Sequence, residues 1–378
     1  MIRLADIITQ HDDEFVERYA KDLMPSHRKA LAAIKNCRNT FSPKMLLECE
    51  NQQCAHQQVL PHSSLSGLSG WRLARQAGQT GGHRHCPHCQ NYETHKWLQR
   101  QLQKQVPGVY FLAGFTLPFE LRKMVWQNQR LVYTLMFKSV WATLITFCLN
   151  DKRLGGVPGC ILVLHTHSRE LNFHPYIHVI IPAASIDKNK RLWKQKGRYL
   201  FNGKALANVF RAKMLNSLKE SEIHLPNSYP AEWNVQCKPV GNGQKALKYL
   251  ARYLYRGVIS EKDILSFKDG KVTFRYKKSK SSIYQIKTVS AVEFMWLIRQ
   301  HVLPRGFRRA RNYGFLHPNS KNLIKIIQLK FGINFATDNM SFKPREPMIC
   351  PCCGSYMRIV LTKLPANFSL LPIIKEPL

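Results

Sequence analysis

The stretch Leu171–Pro182, LNFHPYIHVIIP, constrains the fold more than any other part of the chain. Its apolar and β-branched residues read as a strand entering a buried core. Successive side chains on a strand point to opposite faces. His174, Tyr176 and His178 stand at even offsets, so all three are expected on one face, and two imidazoles on one strand face make a metal site.

A second segment supplies a different chemistry. Lys245–Arg256, KALKYLARYLYR, reads as a strongly basic helix. At roughly 100° per residue, Tyr249 and Tyr253 share a face with Lys245 and Arg256. Leu247, Leu250 and Leu254 form a separate apolar stripe that would anchor the helix, and Tyr255 points away from the tyrosine face. Phenols beside cations suit nucleophilic attack on phosphodiesters, because the cations hold the backbone and favour the phenolate. A Tyr-x-x-x-Tyr pair alone is as readily a pair of packing residues, so its meaning rests on what surrounds it.

Strand histidines followed about 70 residues later by Tyr249-Leu250-Ala251-Arg252-Tyr253 resemble the two-tyrosine HUH transposases of rolling-circle insertion sequences, the IS-ninety-one type. The resemblance extends over VYFLAGFTLP (109–118), VLHT (163–166), VTFRY (272–276), HVLPRGF (301–307) and a cysteine-rich N-terminal part. It implies an enzyme that cuts and rejoins single DNA strands through phosphotyrosine intermediates. Tyr249 and Tyr253 would be the nucleophiles, with Lys245, Arg252 and Arg256 stabilising charge, and a catalytic Mg2+ or Mn2+ ion would be bound. The chain departs from the family at one place. Where the family's strand reads His-Pro-His-x-His, this one has His174-Pro175-Tyr176-Ile177-His178, so Tyr176 stands in the position of the first HUH histidine. His174 lies four strand residues from His178, roughly 13 Å, too far for one ion unless Pro175 bulges the strand. The ion would then be held by His178 with His174, with His165 from the preceding strand, or with a carboxyl or amide elsewhere, and His167 could contribute.

Composition supports the same partner independently. Lys plus Arg number 57 against 23 Asp plus Glu, a net charge of +34, which points to a polyanion. Cations interleave with aromatics in Phe267–Lys280 and Arg305–Tyr313, a pattern suited to phosphate contacts beside base stacking. A plasmid relaxase or replication initiator would share the core but not the cysteine module. A tyrosine recombinase needs a His-x-x-Arg element that the sequence lacks, and the scattered acidic residues disfavour a carboxylate-triad transposase. A DNA-binding protein weakened in catalysis by Tyr176 remains the alternative. Gly241-x-Gly243-x-Lys245 lacks the spacing of a phosphate-binding loop. None is required, since a phosphotyrosine ester conserves the broken bond.

The 11 cysteines suggest metal rather than disulfides. Cys49-x4-Cys54 and Cys86-x2-Cys89 offer a tetrahedral structural zinc set, with Cys37, His56, His85 and His88 as reserve ligands. Arg72, Arg75, Arg84, Lys96 and Arg100 would line its DNA-binding surface. Cys350-Pro351-Cys352-Cys353-Gly354 resembles half a zinc knuckle without a second pair, and Cys148, Cys160 and Cys237 read as core residues.

The expected architecture is α+β: an HUH-type antiparallel sheet core with helices, preceded by a small zinc-binding domain. Residues 1–105 are assigned to a helical zinc- and DNA-binding domain, 106–313 to the catalytic domain, and 314–378 to a basic tail with a cysteine cluster. Asp269-Gly270 between alternating runs signals a hairpin. The acidic N-terminus predicts no secretion signal, hence a cytoplasmic protein, and the apolar run Leu131–Leu149 reads as a buried helix rather than a membrane span.

Overall fold

A computed structural model describes residues 2–37, 42–61, 91–187, 189, 192–197, 199–255, 258–277, 283–333 and 348–370. It divides into two compact units, one of Met1–Asn91 with Phe335–Leu378 and one of Tyr92–Asn334.

The first unit opens with helix α1 (Leu4–Tyr19), which buries Leu4, Ile7, Ile8 and Phe15, and α2 (Pro25–Lys35), which starts on a proline and buries Ala30, Leu31 and Ile34. Strands β1 (Lys44–Cys49) and β2 (Gln57–Pro61) follow.

The second unit runs from α3 (Asn91–Leu102) and β3 (Tyr110–Thr116) through α4 (Arg122–Gln127), α5 (Gln129–Asn150), β4 (Val157–His167) and β5 (Phe173–Pro182). It continues with β6 (Ala184–Ile186), β7 (Trp193–Gln195), α6 (Gly203–Glu220), β8 (Val235–Pro239) and α7 (Gln244–Tyr255). Next come β9 (Ile264–Lys268), β10 (Lys271–Lys277), β11 (Tyr284–Ser290), α8 (Ala291–Arg299), β12 (Ala310–Gly314) and α9 (Lys321–Lys330). Then β13 (Met348–Ile349) and β14 (Tyr356–Leu364) return the chain to the first unit.

The antiparallel sheet of the second unit has the order β7-β6-β4-β5-β3-β8, with β12 also paired to β4. Its two faces carry different cores. Phe111, Ala113, Phe115, Leu162, Leu164, Ile177, Val179 and Ile181 face one way and pack with Val132, Met136, Val140 and Leu144 of α5 and with α6. Helix α5 is long and apolar enough to cross a membrane by length and composition, yet these residues are the centre of that packing. Ile161, Val163 and Ile180 face the other way, against Leu247, Leu250 and Leu254 of α7. The leucine stripe read from the sequence therefore seats the tyrosine helix on the sheet. The β9–β10 hairpin turns at Asp269 and Gly270, with φ of 50° and 66°, as its two-residue turn requires.

Three expectations need correction. Residues 1–105 are not simply helices around a loop: β1 and β2 join β14 and β13 in a four-stranded sheet of order β13-β14-β1-β2. Residues 314–378 are not one tail. Helix α9 buries Ile324 and Ile327 in the core that also holds Leu250, whereas β14 runs along β1, with Glu48 paired to Arg358 at 2.9 Å. The segment Arg305–Tyr313, read as a phosphate-contacting run, is largely absorbed by the fold. Phe307 is core, Tyr313 stacks on Trp141 at 5.2 Å, Arg311 lies 4.2 Å from the Phe137 ring centroid, and Arg309 is buried.

Candidate active site and metal centre

The β4–β5 register sets His165 opposite Tyr176 and Val163 opposite His178. His165 is thus diagonal to His178 on the face that also receives α7. Its Nε2 lies 3.2 Å from His178 Nδ1, and their rings are 4.6 Å apart at 80°. Without an ion, one nitrogen donates its proton to the other. Two nitrogens at that separation also match neighbouring ligands of a single metal, given bonds of about 2.1 Å. Burial lowers the His178 pKa to about 4 and holds His165 well below its usual value, with the charge of His178 adding to the effect on His165. Both rings are neutral at neutral pH and carry a lone pair for an ion.

Tyr176 packs between its neighbours. Its ring stacks on His165 at 4.9 Å and meets the edge of His178 at 5.0 Å. His174, Tyr176 and His178 line one cleft, as strand alternation predicts. His174 is nevertheless held apart: its ring sits beyond Tyr176, at 5.3 Å from it, and its Nδ1 accepts from the Arg122 guanidinium. Of the alternatives for a partner to His178, the geometry brings in His165 and not His174. His167 also lines this cleft, with its ring 5.1 Å from that of His301.

Helix α7 begins after a turn in which Gly241 and Gly243 have φ of 60° and 79° and the Asn242 side chain accepts from Gln244 N–H at 3.2 Å. One turn in, Tyr249 emerges 37% exposed with its ring 6.1 Å from His178. Lys245, one turn earlier, shares a smaller recess with it, and Arg252 is exposed. The Tyr253 side chain and Arg256 lie outside the described residues. Gly114 sits opposite His178 on β3, so no side chain projects there between the ring and the cleft.

The cleft has a volume of about 930 Å³ and continues from Tyr249 and His178 to Arg122, Arg275, Lys277 and Tyr284. Arg275 and Lys277 lie 5.0 and 5.2 Å from the Tyr284 ring centroid, and Arg275 also binds Asp263 at 2.9 Å. The sequence reading marked the basic character of β10. It did not mark Arg122 or Tyr284, which carry no local motif.

In the first unit, Cys49, Cys54, Cys350 and Cys353 bring their four sulfur atoms within 4.8 Å of one another, and this donor set fits structural zinc. The first pair was expected in such a site. The structure brings to it Cys350 and Cys353, two of the three cysteines that the sequence left without a second pair. Cys86, Cys89, His85, His88, Arg72, Arg75 and Arg84 lie outside the described residues. Cys148 and Cys160 are buried in the core and Cys237 is half-buried against it, as expected.

An antiparallel sheet with a histidine pair from two neighbouring strands on one face and a basic tyrosine helix packed against it, accompanied by four cysteines that fit a metal ion, points to a DNA transposase in the light of two family matches. Residues 159–323 match the family described as "Putative transposase", and residues 73–117 match "Transposase zinc-binding domain". Together with the relatives below, these matches support an IS91-type transposase with an N-terminal zinc-binding domain. It is 28% identical over 337 residues to "Putative transposase y4qJ" of Sinorhizobium fredii, covering 83% of this chain and 80% of that protein. It is 27% identical over 302 residues to "Transposase for insertion sequence element IS801" of Pseudomonas savastanoi pv. phaseolicola, covering 72% and 73%. A bacterial tRNA(His) guanylyltransferase-like protein in complex with ATP aligns at 11% identity with a TM-score of 0.21 over 56% of this chain and 98% of that one, and carries no argument.

Proposed function

We propose that this transposase cuts and rejoins single DNA strands in rolling-circle transposition, with Tyr249 as a nucleophile in the cleft and Tyr253 as the second. The observation that carries the reading is the convergence of Tyr249 on a histidine pair of metal-ligating geometry: 6.1 Å between the Tyr249 and His178 rings, and 3.2 Å between His178 and His165 nitrogens.

The Tyr249 oxygen forms a bond to phosphorus as the P–O3′ bond breaks, leaving a 5′-phosphotyrosine ester and a free 3′-hydroxyl that takes up a proton. Reversal by a 3′-hydroxyl rejoins a strand without ATP. His165 and His178 would hold a divalent ion, Mg2+ or Mn2+, which polarises the scissile phosphate. Lys245 and Arg252 on the helix, with Arg256 next after it in the sequence, supply positive charge for the backbone. Arg122, Arg275 and Lys277 along the cleft wall suit flanking phosphates, and Tyr284 offers a ring on which a base can stack. Such a wall fits an unpaired strand, whose bases are accessible. The substrate in the cytoplasm would be a transposon end exposed as single-stranded DNA, and then a target strand.

The test is cleavage of single-stranded oligonucleotides carrying the element's end, with Mn2+ or Mg2+ and with a chelator. His178→Ala and His165→Ala are each expected to lower metal-dependent cleavage at least 100-fold while DNA binding persists. Equal cleavage in chelator, or an active His178→Ala variant, would overturn the assignment of the ion to this pair.

A further inference from the structure

We propose that the structural zinc is held by Cys49, Cys54, Cys350 and Cys353, so that the zinc-binding unit is assembled from two stretches far apart in the chain. Cys49 and Cys353 are 304 positions apart, and Cys54 and Cys350 are 296 apart.

Three observations carry this assignment. The first is the shape of the donor set. Cys49 Sγ lies 3.4 Å from Cys353 Sγ, and Cys54 Sγ lies 3.8 Å from Cys350 Sγ. A zinc tetrahedron with bonds of about 2.3 Å has edges of about 3.8 Å. Disulfide sulfurs would be about 2.05 Å apart, so these are four separate thiols around a common centre.

The second is that each pair sits on a tight turn. Cys54 N–H donates to Asn51 O at 3.0 Å, and Ala55 follows with φ of 46°. In the other turn Cys350 N–H donates to Ser355 O at 2.7 Å, Gly354 N–H donates to Cys350 O at 3.0 Å, and Gly354 has φ of 72°. A side chain beyond glycine would strain that last position.

The third is the scaffold that brings the turns together. The β1–β14 ladder sets Cys49 opposite Met357, and Glu50 N–H donates to Tyr356 O at 2.9 Å where the ladder ends. The apolar core under the quartet is small: Leu47, Cys49, Cys350 and Met357 are buried, with Met45, Cys54, Leu60 and Met348 around them. A core of that size contributes little toward holding together two stretches that the chain joins only through another folded unit. Four metal–sulfur bonds supply what it lacks. The ion therefore fixes β14 to β1, and the segment after residue 348 is part of the zinc unit rather than an appendage.

The experiment uses the full chain. Cys350→Ser with Cys353→Ser is expected to lose one zinc per chain, to lose the thiolate-to-cobalt absorption of the cobalt-substituted protein, and to expose the segment after residue 348 to limited proteolysis. Cys86→Ser with Cys89→Ser is expected to leave that absorption and that protection intact. Cys353→His keeps a metal donor and should retain zinc, which separates loss of ligation from general misfolding. Wild-type zinc content in Cys350→Ser, Cys353→Ser, or loss of the protected segment's metal in Cys86→Ser, Cys89→Ser alone, would overturn the assignment. None of these readouts depends on DNA cleavage.

Discussion

At the scale of single residues, the histidine face was legible because strand alternation is a strict rule: His174, Tyr176 and His178 do share a cleft. Which histidine partners His178 was not legible, because it depends on register between strands and on Arg122, which claims His174. The same burial that keeps His178 neutral makes it acid-sensitive. Its folded pKa of about 4 lies below the unfolded value near 6.5, so the unfolded chain binds the extra proton between those values. The stabilisation is complete above pH 6.5 and is lost as pH falls toward 4. By pH 5 this one residue should cost about 2 kcal/mol. Urea titrations in chelator should show stability falling from pH 7 to 5, with a shallower fall in His178→Gln. A pH-independent midpoint would contradict the burial argument.

At the scale of elements, the hairpin at Asp269-Gly270, the strand pair and the tyrosine helix could be read locally, since each is specified by its own periodicity or turn residues. Strand β14 could not, because its ladder with β1 joins segments separated by most of the chain. Strand β12 was hidden by the charge around it: Arg311 in the strand and Arg309 just before it read as a nucleic-acid surface until the packing of Arg311 on Phe137 and the hydrogen bond from Arg309 to Leu254 O are seen. The start of the tyrosine helix depends on one backbone position. Gly243 has φ of 79°, and a Cβ there would stand 2.7 Å from Tyr110 Cγ. Gly243→Ala must therefore shift either the Tyr110 ring, which is buried in the core, or the first turn of α7. We expect a loss of about 2 kcal/mol or more and weaker cleavage, measured by thermal unfolding and oligonucleotide assay. An unchanged melting temperature with full activity would show that α7 is not positioned by this contact.

At the scale of the whole molecule, a net charge of +34 and two units of different chemistry fit a DNA transposase. One unit carries a cluster of four cysteines and the other a cleft with a phenol and a histidine pair. The charge identified the class of partner from composition alone, and the cleft adds a phenol, Tyr249, to which the proposed function gives the attack on phosphorus. The central claim is that Tyr249 becomes covalently joined to DNA. The most direct measurement is to react the protein with a single-stranded end oligonucleotide and Mn2+, digest the covalent product, and locate the nucleotide-bearing peptide by mass spectrometry. The account predicts a 5′-phosphotyrosine on Tyr249, or divided between Tyr249 and Tyr253, with loss of all adduct in Tyr249→Phe, Tyr253→Phe and retention of DNA binding. An adduct on another residue, or one that survives the double substitution, would contradict it.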